Sequence, residues 1–372
     1  MDKFAQTQKG GDNSNQILAG TIFVNNNIGI TEERAREIFS SEIAQKMDVL
    51  AVEARDTASA RMLELFSDLI SRVKKCEKDL SSFGDPAFLQ NVRIAQDAAA
   101  VSERKEDIET LAELLMARMN GKLKRATKTG IRRAMEIAPE LEADELMVLT
   151  IMLFYTKYTP NNKSGISVEH YLNALDDYFK KIIQADLPIG NRWLQHLTIL
   201  DAVIVEHLSS FVPLDEYYGK SANGLVCAGL RVGSQEHVNA VEILNQCGMG
   251  AECLVPNDLL PGFVRLPLVK SDDFSFLPIT IPNIPKIYTM RPNEKHIEGL
   301  KKVISLYGKD SKLLNQVKAE FAKRFSQYGT LKKLKDWLAN RKGWFELTSV
   351  GEALGYVNAR RCIPGLPAIE LE

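Results

Sequence analysis

A chain of 372 residues, 45% of them hydrophobic, with 47 lysines and arginines against 48 aspartates and glutamates, has the make-up of a folded protein rather than a disordered one. It contains no run of about 18 apolar residues, which excludes a membrane-spanning helix, and the opening MDKFAQTQKGGDN lacks the apolar stretch of a secretory signal. A cytoplasmic protein without a membrane partner is expected, and Cys76, Cys227, Cys247, Cys253 and Cys362, which form no C-x-x-C pair, fit reduced thiols.

Residues 1–30 carry Gly10, Gly11, Gly20 and Gly29, an asparagine run from Asn25 to Asn27, and two β-favouring pieces around Ile17 and Ile22. The pattern predicts short strands with tight turns, or else a disordered tail. An isolated hairpin is marginal in water, so such strands would pair with the protein body or with another copy of the chain.

From Thr31 the pattern becomes helical. Thr31 can cap, Glu32 and Glu33 suit the positive end of a helix dipole, and no Gly or Pro occurs before Gly84. Ile38, Phe39, Ile43, Met47, Leu50, Ala54, Ala58, Leu65, Phe66 and Leu69 recur in steps of three and four, which predicts one very long amphipathic helix over residues 31–84. Fifty helical residues reach about 70–75 Å, longer than a small domain is wide. The apolar stripe, together with Ile17 and Ile22, is therefore expected to associate with another copy through a coiled-coil-like seam; a large monomeric bundle is the alternative.

Asp85-Pro86 is a helix-start signal and opens a predicted helical bundle over 85–215. Leu146 to Tyr158, apolar on several faces, reads as a buried helix, and Asn191 to Phe211 as a further amphipathic one. Residues 216–290 are rich in Gly and Pro and predict an irregular region with short strands and one helix around Glu236 to Gln246. Helical patterns resume over 291–372 and end in Trp344 to Leu347 followed by Thr348-Ser349-Val350-Gly351, a sequence of elements that predicts a winged-helix-like module with a short closing helix. The expected fold class is mainly α.

No glycine loop with phosphate-binding spacing is present, which argues against nucleotide binding. Cys227, His237, Cys247 and Cys253 offer zinc-type ligands at spacings that match no zinc pattern, so no metal and no cofactor is expected, and buried packing cysteines are the commoner explanation. His196 and His207 would lie ~16 Å apart on one helix, too far to act on one proton. Arg118 to Arg133 holds seven cations and no acid. On a helix Lys122, Arg125, Lys128 and Arg132 share a side, and Lys332, Lys333, Arg341 and Lys342 beside the expected wing would extend a nucleic-acid surface; a solvated face is the plainer alternative.

GDNSNQILAG near the start, the helix entry at Gly29-Ile30-Thr31, WLQHLTIL from Trp193 to Leu200 and LTSVGEALGYVNARR from Leu347 to Arg361 together resemble the LPO/Vpar-type family of bacterial cytoplasmic proteins. The resemblance implies a phage-defence or stress-response setting and supplies no catalytic residues to transfer. Three readings follow: a homo-oligomeric interaction or scaffold protein, a nucleic-acid-binding protein, and a metal-dependent enzyme near His237 and Cys247. No reaction or substrate, and no protein partner other than the chain itself, is legible in the sequence.

Overall fold

The computed structural model describes residues 32–76, 80–119, 123–160, 167–206, 211–280, 287–341 and 344–366. Among them the chain is mainly helical, with a few short strands. It divides into two units, Met1–Ala58 and Ser59–Glu372. Residues 1–30, with the expected hairpin and its Ile17 and Ile22, lie outside the described residues, as do Lys122, His207 and Lys342.

Helix α1 (Glu32–Lys75) begins in the first unit and ends in the second. It stops short of Gly84: Leu80–Gly84 form a separate 3-10 turn. Asp85 then caps α2 (Pro86–Val101) by accepting from the Ala87 N–H at 2.9 Å, with Pro86 at the first position as its missing donor allows. α3 (Lys105–Arg118), α4 (Arg125–Ile137), α5 (Ala143–Lys157) and α6 (Val168–Ile182) follow. The apolar run in α5 has the expected consequence, since every residue from Glu145 to Tyr155 is buried.

The segment expected as one helix from Asn191 to Phe211 is broken. α7 (Arg192–Ile199) ends in a turn where Asp201 takes φ 56°, and the β-branched Val203, Ile204 and Val205 continue as strand β1 (Val203–Glu206). After α8 (Leu214–Ser221) the glycine-rich region is more ordered than its composition suggests. Strands β2 (Leu230–Arg231), β3 (Val255–Pro256) and β4 (Phe263–Arg265) form a sheet of order β2-β4-β3, and Ser234 caps α9 (Gln235–Gln246). β5 (Leu277–Thr280) pairs with β6 (Ile287–Met290), and α10 (Glu294–Ser305) follows. Leu230, Ala240, Leu244, Leu266, Leu300 and Val303 from these elements build a small core of their own.

α11 (Ser311–Phe325) and α12 (Gly329–Ala339) return to the main core, and β7 (Trp344–Leu347) leads into α13 (Ser349–Cys362). A winged-helix-like module would pair its wing strands locally. Instead β7 runs antiparallel to β1, with Val203 opposite Leu347 and Glu206 opposite Trp344. The closing helix is also longer than expected and packs on α5, α4 and α3. The C-terminal elements are therefore part of the same core as the bundle.

This docking depends on close backbone approach. A Cβ at Gly355 would stand 2.7 Å from the Leu149 carbonyl oxygen and 3.0 Å from its carbon, and one at Gly130 would meet Ser349 Oγ at 2.7 Å. Beside the crossing, Thr348 caps α13 by accepting from the Val350 and Gly351 N–H groups at 3.2 Å each, and its hydroxyl donates to the Asp201 carbonyl at 2.6 Å. Asn358 Nδ2 donates to Thr150 Oγ1 at 2.6 Å inside the same interface, giving two buried polar groups a shared partner.

Gly355→Val should therefore overpack the crossing and lower the unfolding free energy by about 1–3 kcal/mol in a urea titration. Thr348→Ala should cost about 1 kcal/mol through the lost cap. Unchanged midpoints for both variants would show that α13 does not dock as described.

Candidate functional site

The expected apolar stripe of α1 is exposed in the first unit and joins the core in the second, where Leu63 and Ile70, off the stripe, are exposed as well. In the first unit Phe39, Ile43, Met47 and Leu50 are 42–64% exposed, spaced by four, four and three residues so that they share one side, and Ala54 continues it. Ala58 is half-buried, and the side chain of Ile38 lies outside the described set. Val49 and Val52 are exposed too, off this row, so the apolar surface is wider than a coiled-coil seam.

In the second unit Leu65 and Leu69 are 1% exposed and belong to the main core, with Phe66 packed against it. These residues correct the expected seam: Leu65 and Leu69 are buried in the main core within one copy, and Phe66 packs against that core. Arg72 ties the same helix to Glu113 of α3.

Among the described residues, Arg132, Lys333 and Arg341 of the cations expected to face phosphate are committed to neighbours. Arg132 and Arg133 both pair with Glu136, at 3.2 and 3.0 Å. Lys333 donates to Asp186 at 2.9 Å, which holds that carboxyl below the usual aspartate range. Arg341 is the clearest case. Its guanidinium lies 4.7 Å from the Trp193 ring centroid and 4.4 Å from that of Trp337, and donates to the Pro188 and Gly190 carbonyls at 2.5 and 2.7 Å.

Both indoles also donate into this loop, Trp337 to Pro188 and Trp193 to Gly190, so Arg341 is the centre of a structural clamp. Burial pulls its pKa below the usual arginine range. Arg125, Lys128 and Lys332 have no acidic partner among the described residues.

Two features were not legible in the sequence. Glu145 is 2% exposed and places both carboxylate oxygens on His196 Nδ1, at 2.8 and 2.9 Å, on the floor of a cleft that Arg192, Trp193 and Ile199 help to line. The same carboxylate accepts from the Glu142 N–H at 2.9 Å as part of the capping box of α5, which gives it a structural role as well. Only the S/T/D/E-x-x-E spacing at 142–145 hints at this carboxylate, and nothing local pairs it with His196. The second feature is the ion pair of Asp215 with Lys335, 2.8 Å apart, at the wall of a cavity of about 720 Å³.

Burial pushes the Cys227 thiol up to about 11 and raises those of Cys253 and Cys362, the opposite of an activated thiolate. Among the described residues no cluster of three or more His, Cys, Asp or Glu side chains is placed to hold a metal ion. No described helix is long and apolar enough to cross a membrane.

Fold and surface thus define a mainly helical protein whose exposed apolar row lies outside its core. A family model matches residues 29–371, so the chain belongs to that family, a result consistent with the Vpar-type resemblance. The match takes in the WLQHLTIL and LTSVGEALGYVNARR segments and leaves GDNSNQILAG outside. No curated protein and no solved structure matches the chain.

Arg341→Lys keeps the charge but loses the planar fork that stacks between two indoles. It should lower the unfolding free energy by about 1–2 kcal/mol in urea. A midpoint equal to that of the wild type would overturn the clamp.

Proposed function

We propose that this protein is a homo-oligomeric interaction or scaffold protein whose copies associate through the first unit's part of α1. One observation carries the reading: Phe39, Ile43, Met47 and Leu50 stand exposed in a row on a helix that offers them no cover within the described residues of its unit. Isolated helices are marginal in water, and helices in proteins draw most of their stability from packing an apolar face. A row of four large apolar side chains is also more than the scattered single exposures that need no explanation.

The magnitudes permit association without making it tight. Eight such side chains from two copies, each already partly covered, contribute roughly 8–16 kcal/mol on burial. Lost rotational and translational freedom costs about 4–15 kcal/mol. The assembly is accordingly expected to depend on concentration, with the first thirty residues adding to it by pairing between chains. The resemblance of the terminal motifs supports a bacterial phage-defence or stress-response setting.

A second reading, nucleic-acid binding, draws on Arg125, Lys128 and Lys332. It would act through the α4 surface rather than through Arg341, whose donors are occupied.

Light scattering on the purified chain should give a mass that is a multiple of 41.6 kDa. Phe39→Asp with Leu50→Asp should return it to the monomer, and removing residues 1–30 should lower the assembly state. A monomeric wild type across a wide concentration range rejects the reading. Retention on duplex DNA or RNA that falls steeply with salt, and that Arg125→Ala weakens, would favour the second reading instead.

A further inference from the structure

The first turn of α5 and the helix α7 enclose a cleft of about 600 Å³, within the size range of sites that hold small molecules. Its central group is His196, whose side chain is 37% exposed. Behind the ring stands the buried Glu145, with both carboxylate oxygens on Nδ1. A carboxylate can only accept, so Nδ1 carries the proton and the lone pair of the neutral ring is on Nε2. That atom has no hydrogen-bond partner among the described residues and is not shielded from solvent.

A buried acid on one nitrogen orients a histidine as a base and steadies the imidazolium that forms when the other nitrogen takes a proton. A molecule in the cleft meets only the imidazole, and Glu145 acts on it through the ring. Arg192 lies one turn before His196 on α7, so the two side chains share a face. It is exposed and has no acidic partner among the described residues, although Glu142 and Asp144 also line the cleft.

Three carboxylates and one guanidinium among the lining residues disfavour an anionic substrate. Ile189 and Ile199, 94% and 75% exposed, give the rim apolar surface. An uncharged molecule with an apolar part suits this lining. None of the lining residues has a hydroxyl or thiol side chain, so the atom that His196 would deprotonate comes from outside the protein.

We propose that this cleft hydrolyses uncharged esters of apolar carboxylic acids, with water as the nucleophile. His196 Nε2 takes a proton from water as the water oxygen bonds to the ester carbonyl carbon, and Arg192 holds the carbonyl oxygen as it gains negative charge. The carbonyl then re-forms, the bond to the alcohol oxygen breaks, and the alcohol leaves with the proton from Nε2. The acid product gives its own proton to solvent and is then repelled by Glu142 and Asp144. This proposal is independent of self-assembly through α1.

4-Nitrophenyl butyrate is such an ester, and its hydrolysis by the full chain should saturate with substrate. His196→Gln should lower kcat about a hundredfold or more, whereas His170→Gln, which removes an imidazole outside the cleft, should leave it unchanged. Arg192→Gln should lower kcat about tenfold or more. Glu145 is a positioning residue that also caps α5, and Glu145→Gln keeps an oxygen for the Glu142 N–H while losing the charge. It should lower kcat about tenfold or more with KM and melting temperature kept. A wild type without saturable hydrolysis overturns the proposal, as does a rate for His196→Gln equal to that of the wild type. Wild-type kcat in Glu145→Gln overturns the dyad and leaves the pair as a tie between α5 and α7. Should His196→Gln fail to fold, nitrogen NMR of the wild-type ring decides: a neutral ring with its proton on Nδ1 supports the assignment, and one with its proton on Nε2 overturns it.

Discussion

The crossing of α13 over α5 is the contact on which the second unit is built. α5 is buried on all sides, so whatever covers it must come close, and the C-terminal helix does so because Gly355 presents no side chain to the Leu149 carbonyl. Thr348 fixes where that helix starts by bonding to the Asp201 turn, and β7 is held on β1 just before it. Residues some 150 positions apart in the chain are in this way joined, the turn at Asp201 and strand β1 on one side and β7 with the start of α13 on the other.

The same docking changes the meaning of the charges. A run of cations reads as a surface for phosphate when its partners are unknown. Folding brings Asp186 to Lys333, Asp215 to Lys335 and two indole rings to Arg341, and each of these replaces water or a ligand as the cation's neighbour. Pairing of this kind across a protein surface is weak energetically, but it removes donors from the inventory available to a polyanion. What stays open is a smaller set on α4 and at Lys332. A parallel logic applies to the apolar stripe of α1: Leu65 and Leu69 join the main core, while Phe39 to Leu50 have no such cover among the described residues of their unit.

Local signals were read correctly where the physics is local. The cap at Asp85, the proline at position 86, the all-apolar course of α5 and the helix near Glu236 each follow from residues within a few positions of one another. Elsewhere a distant element decides the local structure. Asn191 to Phe211 has an apolar spacing compatible with a helix, yet Val203–Glu206 form a strand because β7 offers them hydrogen-bond partners. The expected wing failed for the matching reason, since Trp344 to Leu347 found β1 rather than a neighbour in sequence.

Composition and periodicity by themselves determined that this chain folds, that it is mainly helical, and that an apolar-striped helix follows the N-terminal segment, because these depend on averages and on spacing along the backbone. Only the tertiary structure decided which apolar residues are core, which cations are already paired, and that Glu145 meets His196 and Asp215 lines a cavity with one oxygen unsatisfied. The reason is that burial and ion pairing are properties of neighbours in space, and those neighbours lie 51 and 120 residues away along the chain.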